Sequence, residues 1–186
     1  LTADLPFEMT AAQHAAIGEI TADQAAPKRM LRMLQGDVGS GKTLVALVAM
    51  LTVAETGAQA ALLAPTEVLA RQHHASLSAL LRPLHMDVGL LLGQGRARAA
   101  TADHGTQVDQ NNTPRSRKDT LAAMANGTIS LVVGTHALFQ KDVVFSNLLL
   151  AVIDEQHRFG VHQRLTLAEK GRGVDTLVMT ATPIPR

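Results

Sequence analysis

Gly36, Gly41, Lys42 and Thr43 stand at the spacing Gly-x-x-x-x-Gly-Lys-Thr, inside the run QGDVGSGKT. That spacing suits an anionic phosphate. Glycines let successive backbone N–H groups close around it, Lys42 reaches the outer phosphates, and the Thr43 hydroxyl suits a magnesium ion. Asp37, Val38, Gly39 and Ser40 supply the rest of the loop backbone. A second group lies in LLLAVIDEQH, Leu148–His157, an apolar run that ends on two carboxylates. Asp154 is suited to the magnesium shell, and Glu155 to orienting and deprotonating an attacking water. Phosphoryl transfer to a small molecule needs no glutamate beside that aspartate, whereas hydrolysis does. The plainer alternatives are a glycine-rich turn and a buried strand that closes in an acidic turn.

Both groups need a strand in front of them, and the loop needs a helix behind it. Met30, Leu31, Met33 and Leu34 form a short apolar run that reads as a buried strand. TLVALVAMLTVAET reads as a helix that stops at Gly57, so its N-terminus adds positive potential at the phosphate. Further strands are expected at Ala60–Ala64, Val88–Leu92, Ile129–Val133 and Thr176–Met179. Helices are expected at Ala11–Thr21, Glu67–Leu81 and Pro114–Asn126, with Thr10 as a cap, Thr113-Pro114 as a cap with an N1 proline, and Asn126-Gly127 as a stop. Several strands are solidly apolar, as strands covered on both faces are. Strands alternating with helices imply a mostly parallel sheet. The expected fold is an α/β, three-layer P-loop domain spanning residues 1–186.

At 186 residues, 46% hydrophobic and 18% charged, the chain has the size of one domain. A net charge of +1 gives no global field for nucleic acid, so any DNA contact has to be local. The absence of Trp and Tyr, with only four Phe, argues against base stacking on an aromatic platform. The absence of Cys excludes disulfides and thiolate metal sites. The longest apolar stretch is too short for a bilayer, and no basic-then-apolar leader is present at Leu1. A cytoplasmic monomer with no membrane association is the expectation. The opening on Leu1 and the close on TATPIPR suggest a piece truncated at its C-terminal end. Residues 93–118 carry no large apolar residue apart from Val108, and read as a disordered insertion or as a basic flap for nucleic-acid phosphates, with Arg96, Arg98, Arg115, Arg117 and Lys118.

Six blocks, LPFEMTAAQ, GDVGSGKT, APTEVLARQH, VVGTHAL, VIDEQHRFGVHQR and MTATPIPR, follow one another across nearly the whole chain. In type and order they resemble the first RecA-like motor domain of superfamily 2 helicases, and among these the RecG family of branched-DNA helicases. Mfd-type translocases share most of the blocks but usually carry Asp-Glu-Glu-His where this chain has Asp-Glu-Gln-His. The resemblance implies that Gln13 reads adenine; its other reading is a capping box with Thr10. It implies ATP and Mg²⁺ contacts from Gly36 through Thr43, and hydrolysis by Lys42, Asp154, Glu155 and His157, with Thr43 and Asp154 on the metal. Gln156, Thr180 and Thr182 would couple hydrolysis to strand movement.

By the same resemblance Pro65, Thr66, Gly134, Thr135 and His136 would hold DNA-strand phosphates without reading sequence. As residues alone they also fit ordinary strand-to-helix turns. The family's Thr-Gly-Ser-like turn is replaced here by LLGQGRA, which places a third strand contact in doubt. The implied activity is ATP-driven remodelling of branched DNA, such as stalled forks and Holliday junctions, in recombination and repair. A second RecA-like lobe and a wedge domain would be partners. An arginine finger from that lobe contributes about 10³–10⁵ in turnover, so this chain alone is expected to be nearly inactive. Two other readings are a P-loop small-molecule kinase, with the insertion as lid, and a non-catalytic P-loop interaction module.

Overall fold

The apolar runs form strands and the segments between them form helices. The computed structural model describes residues 9–93, 116–154 and 173–181. In chain order these give α1 (Ala11–Gln24), β1 (Leu31–Gln35), α2 (Lys42–Glu55), β2 (Gln59–Leu63), α3 (Glu67–Leu81), β3 (Val88–Leu91), α4 (Arg117–Ala125), β4 (Leu131–Gly134), β5 (Leu148–Asp154) and β6 (Asp175–Thr180). The six strands make one sheet in the order β1-β6-β5-β2-β4-β3. Every pairing is parallel.

Successive side chains of a strand point to opposite faces, and each face here has its own helices. Ala60, Leu62, Val133, Val152 and Leu177 pack under α1, α2 and α3, through Ile20, Leu47, Met50, Ala70, Leu77 and Leu81. Ala61, Leu63, Val132, Ala151 and Ile153 turn the other way, onto Ala123 and Met124 of α4 and onto Ala137 and Leu138. This is the expected three-layer α/β arrangement. It explains why β2, β3 and β4 are apolar throughout: each is buried along its whole length. No described helix is long and apolar enough to cross a membrane.

The helix ends follow local chemistry. The Thr10 hydroxyl accepts from Gln13 N, and the Gln13 side chain accepts from Thr10 N in return. Gly57 has φ +78°, which closes α2 in the left-handed region. Two expectations are corrected. The helix placed at Pro114–Asn126 starts later, because Ser116 forms a capping box with Asp119 and its own backbone is extended. Thr113 and Pro114 lie outside the described residues, as does most of the 93–118 insertion. Arg117, counted among the flap's cations, donates to the Leu92 carbonyl at 2.8 Å and to Gln140 Oε1 at 2.8 Å.

The second correction concerns β1, read as a buried strand. Leu31 is 77% exposed and Met33 40%. The strand lies at the sheet edge, paired only with β6 among the described strands, with its inward residues against α1 and α2. α1 is also tied to it by charge. Arg32 donates to Glu19 Oε2 at 2.5 Å and to Asp23 Oδ2 at 2.7 Å.

At the sheet edge where the strands begin, a single amide closes three elements. Gln59, 1% exposed, donates to the carbonyls of Met124 and Ile129 at 2.9 and 2.7 Å, and accepts from Asn147 N at 3.0 Å.

Candidate functional site

In a parallel sheet all strands end at the same edge, and the residues with chemistry follow those ends. Leu34 and Asp154 are both level with Met179 of β6. Leu63 is level with Ile153 on one side and with Gly134 on the other. The loop after β1, Asp154 at the end of β5, Pro65-Thr66 after β2 and Gly134-Thr135-His136 at the end of β4 are therefore neighbours along one edge. Two strand spacings of about 4.8 Å separate β1 from β5, a gap of roughly 10 Å.

The loop from Gly36 to Gly41 turns on two left-handed glycines, Gly39 at φ +82° and Gly41 at φ +81°. Gly41 caps α2, so Lys42 and Thr43 form that helix's first turn. Lys42 Nζ folds back over the loop and donates to the Gly36 and Asp37 carbonyls at 2.6 and 2.7 Å. Gly36 N reaches the Thr180 carbonyl at 3.4 Å, which ties the loop to the end of β6. Val38 is 89% exposed at the loop's tip.

Gln13 serves two elements at once. Its Oε1 completes the capping box, while its Nε2 donates to the Ser40 carbonyl at 3.0 Å. The capping-box reading of Gln13 is met, and the same side chain also ties α1 to the loop. A Cβ on Gly41 would run into that Nε2 and displace the Gln13 amide from the Ser40 carbonyl; glycine is favoured there by its left-handed φ.

The neighbouring loops differ in what they present. The Thr66 hydroxyl caps α3 by accepting from Leu69 N at 3.3 Å, and its own O–H remains a donor. Gly134 is confined: a Cβ there would lie 2.5 Å from the Leu91 carbonyl. Thr135 is 2% exposed, and its Oγ1 is buried without a hydrogen-bond partner. His136 is the exposed residue of that loop, and its ring lies against Gly93. Thr180 ends β6 and is buried. Glu155, Gln156, His157 and Thr182 lie outside the described residues.

One contact escaped the sequence reading. His73 Nε2, on α3, lies 2.7 Å from Asp154 Oδ2. A signal for it exists: Ala70, Leu77 and Leu81 are the buried residues of α3, and His73 falls in their stripe at the spacing of three and four. A histidine on a core stripe needs a polar partner.

The donors fit ATP with a divalent cation: a left-handed glycine loop, an ammonium folded over it, a hydroxyl on the first helical turn and a carboxylate two strands away. The described residues hold no cluster of three or more His, Cys, Asp or Glu able to bind a metal by themselves. A cation here would share its coordination with phosphate and water.

Comparison with known proteins agrees with that chemistry. The DEAD/DEAH box helicase family model matches residues 10–186. The chain is similar to the ATP-dependent DNA helicase RecG of Acidithiobacillus ferridurans, 52% identical over 99% of this chain and 24% of the relative. It is also similar to RecG of Staphylococcus aureus strain NCTC 8325, 49% identical over 98% of this chain and 24% of the relative. A solved structure of RecG bound to a three-way DNA junction superposes with a TM-score of 0.78 at 44% identity, covering 100% of this chain and 22% of that one. The chain spans about a quarter of the length of the relatives it matches. The small-molecule kinase reading finds no support among these matches.

Proposed function

Since the chain belongs to the DEAD/DEAH box helicase family, we propose that it is the ATP-binding lobe of a DNA motor that remodels branched DNA in recombination and repair. The observation that carries this reading is the shared sheet edge. Registers on β6 bring the Lys42 loop and Asp154 level, and those on β2 bring Pro65-Thr66 and the His136 loop beside them. A phosphate-handling half and a strand-handling half are, in this reading, adjacent on one sheet. The likeness to RecG proteins, one of them solved on a three-way junction, directs the proposal to branched DNA.

In this reading the loop amides and Lys42 bind the outer phosphates, and Gln13 reads adenine. Thr43 and Asp154 hold Mg²⁺, which would neutralise charge on the phosphates. Glu155 orients water, His157 and Gln156 face the γ-phosphate, and Thr180 and Thr182 pass the change to the strand. Thr66 donates its free hydroxyl proton to a strand phosphate and His136 lends a ring N–H; Pro65, Gly134 and Thr135 shape those turns. A second RecA-like lobe and a wedge domain of the same protein complete turnover and junction recognition.

The test is a titration of the chain with a fluorescent ATP analogue and Mg²⁺, beside Lys42→Ala and Glu155→Gln. Binding is expected in the unmodified chain and in Glu155→Gln, and to be lost in Lys42→Ala. Equal binding by Lys42→Ala would overturn the phosphate role of the loop.

A further inference from the structure

The His73–Asp154 contact has no part in the roles assigned above. Both side chains are mostly withdrawn from solvent, 13% and 15% exposed. The carboxylate oxygen accepts and the ring Nε2–H donates. His74, the next residue, turns away to the Val88 carbonyl at 3.0 Å. Adjacent histidines on α3 thus reach β5 on one side of β2 and β3 on the other, as the strand order allows.

We infer that His73 is a positioning residue: it holds the Asp154 carboxylate in the orientation that accepts a divalent cation. A carboxylate at a strand end rotates broadly about its last torsion. A 2.7 Å hydrogen bond to Oδ2 selects one orientation and leaves Oδ1 uncommitted to the ring. Partners of this kind, behind a metal-binding carboxylate, set its direction and basicity. The geometry has a second consequence. His73 lies two helical turns from Thr66, the cap of α3, about 10 Å at the rise of an α-helix. Movement at the Thr66 turn therefore reaches the cation's carboxylate through a single rigid element.

The inference rests on Asp154 as a magnesium ligand, and the experiment separates the two claims. Binding of a fluorescent ATP analogue is measured in excess Mg²⁺ and in EDTA, for the unmodified chain, Asp154→Asn, His73→Leu and His73→Gln. His73→Leu is expected to lose most of the Mg²⁺-dependent gain, about tenfold, with its EDTA affinity unchanged. His73→Gln places an amide N–H near the same oxygen and is expected to restore the gain. A role confined to holding the fold would weaken both conditions alike, and that result would overturn the inference. So would His73→Leu keeping the full gain, or His73→Gln failing as badly as leucine. If Asp154→Asn keeps the Mg²⁺ gain, the metal role of Asp154 falls first and the inference with it.

Discussion

Replacing Gln59 with leucine separates what holds this fold from what it does. The amide makes three hydrogen bonds, two of them buried, to Met124 O, Ile129 O and Asn147 N. Leucine has a similar volume and makes none. At about 1 kcal/mol net for each bond the loss is about 3 kcal/mol. Two features moderate it: Met124 O also accepts from Gly127 N and Ser146 N, and Asn147 is exposed, so its N–H can turn to water. A loss of about 2–3 kcal/mol is the expected outcome. For a domain of this size that lowers Tm by roughly 4–12 °C. Nucleotide affinity should not follow. Gln59 begins β2, and its five residues at about 3.3 Å each place the amide roughly 16 Å from the edge that carries the loop. Urea denaturation, paired with the fluorescent-analogue titration, measures both quantities. A stability loss below about 0.5 kcal/mol would refute the claim that this amide closes the lower edge. A large loss of affinity in a chain that remains folded would refute the separation of edges.

Gly41→Ala should cost stability twice over, from a left-handed φ, at about 1–2 kcal/mol, and from the Cβ meeting Gln13 Nε2. Adding Gln13→Ala removes only the second cost, so denaturation of the double variant should show less than the sum of the single losses; strict additivity would disprove the contact. Burial pushes the His74 imidazole below its ordinary value, against the opposing pull of the Val88 carbonyl. The sign follows from that lowered folded-state value: the neutral ring contributes stability above the unfolded value near 6.5, and the contribution is lost as pH falls below it. His74→Gln keeps a donor for Val88 O, so denaturation between about pH 7.5 and 5.5 should show a shallower acid loss than in the unmodified chain; equal slopes would exclude the ring as the source.

Elements were legible wherever local pattern determines them. Glu67–Leu81 matches the expected helix to the residue because Thr66 caps it and Ala70, Leu77 and Leu81 keep its buried face. Gly57 stopped α2 as its conformational freedom predicts. The cap of α4 was misplaced because two signals compete within four residues, and the reciprocal Ser116–Asp119 box prevails over Thr113-Pro114. The exposure of β1 was not legible, since the composition of a strand does not say whether it lies at an edge. The same ignorance of strand order hid His73. Its partner is 81 residues away in sequence, and only the placing of β5 beside β2 brings the two together. The capping box of Gln13 was legible because it follows from a local pattern, Thr-x-x-Gln before a helix.

The edge position of β1 has a consequence for how the chain is made. Strands β2 to β5 can pair among themselves once Asp154 has been synthesised, but β1 waits for β6; Met30 and its partner Asp175 are 145 residues apart. At about 5–20 residues per second the delay lasts roughly 7–30 s. During it the phosphate loop exists as sequence without the strand that anchors it, and Leu31 and Met33 belong to an unpaired edge open to mispairing. The clasp of Arg32 on Glu19 and Asp23 spans only 13 and 9 residues, so it can close early and hold β1 against its own helix. On the ribosome, the anchoring of that loop would then arrive in one step, when Thr180 emerges and β6 slides between β1 and β5.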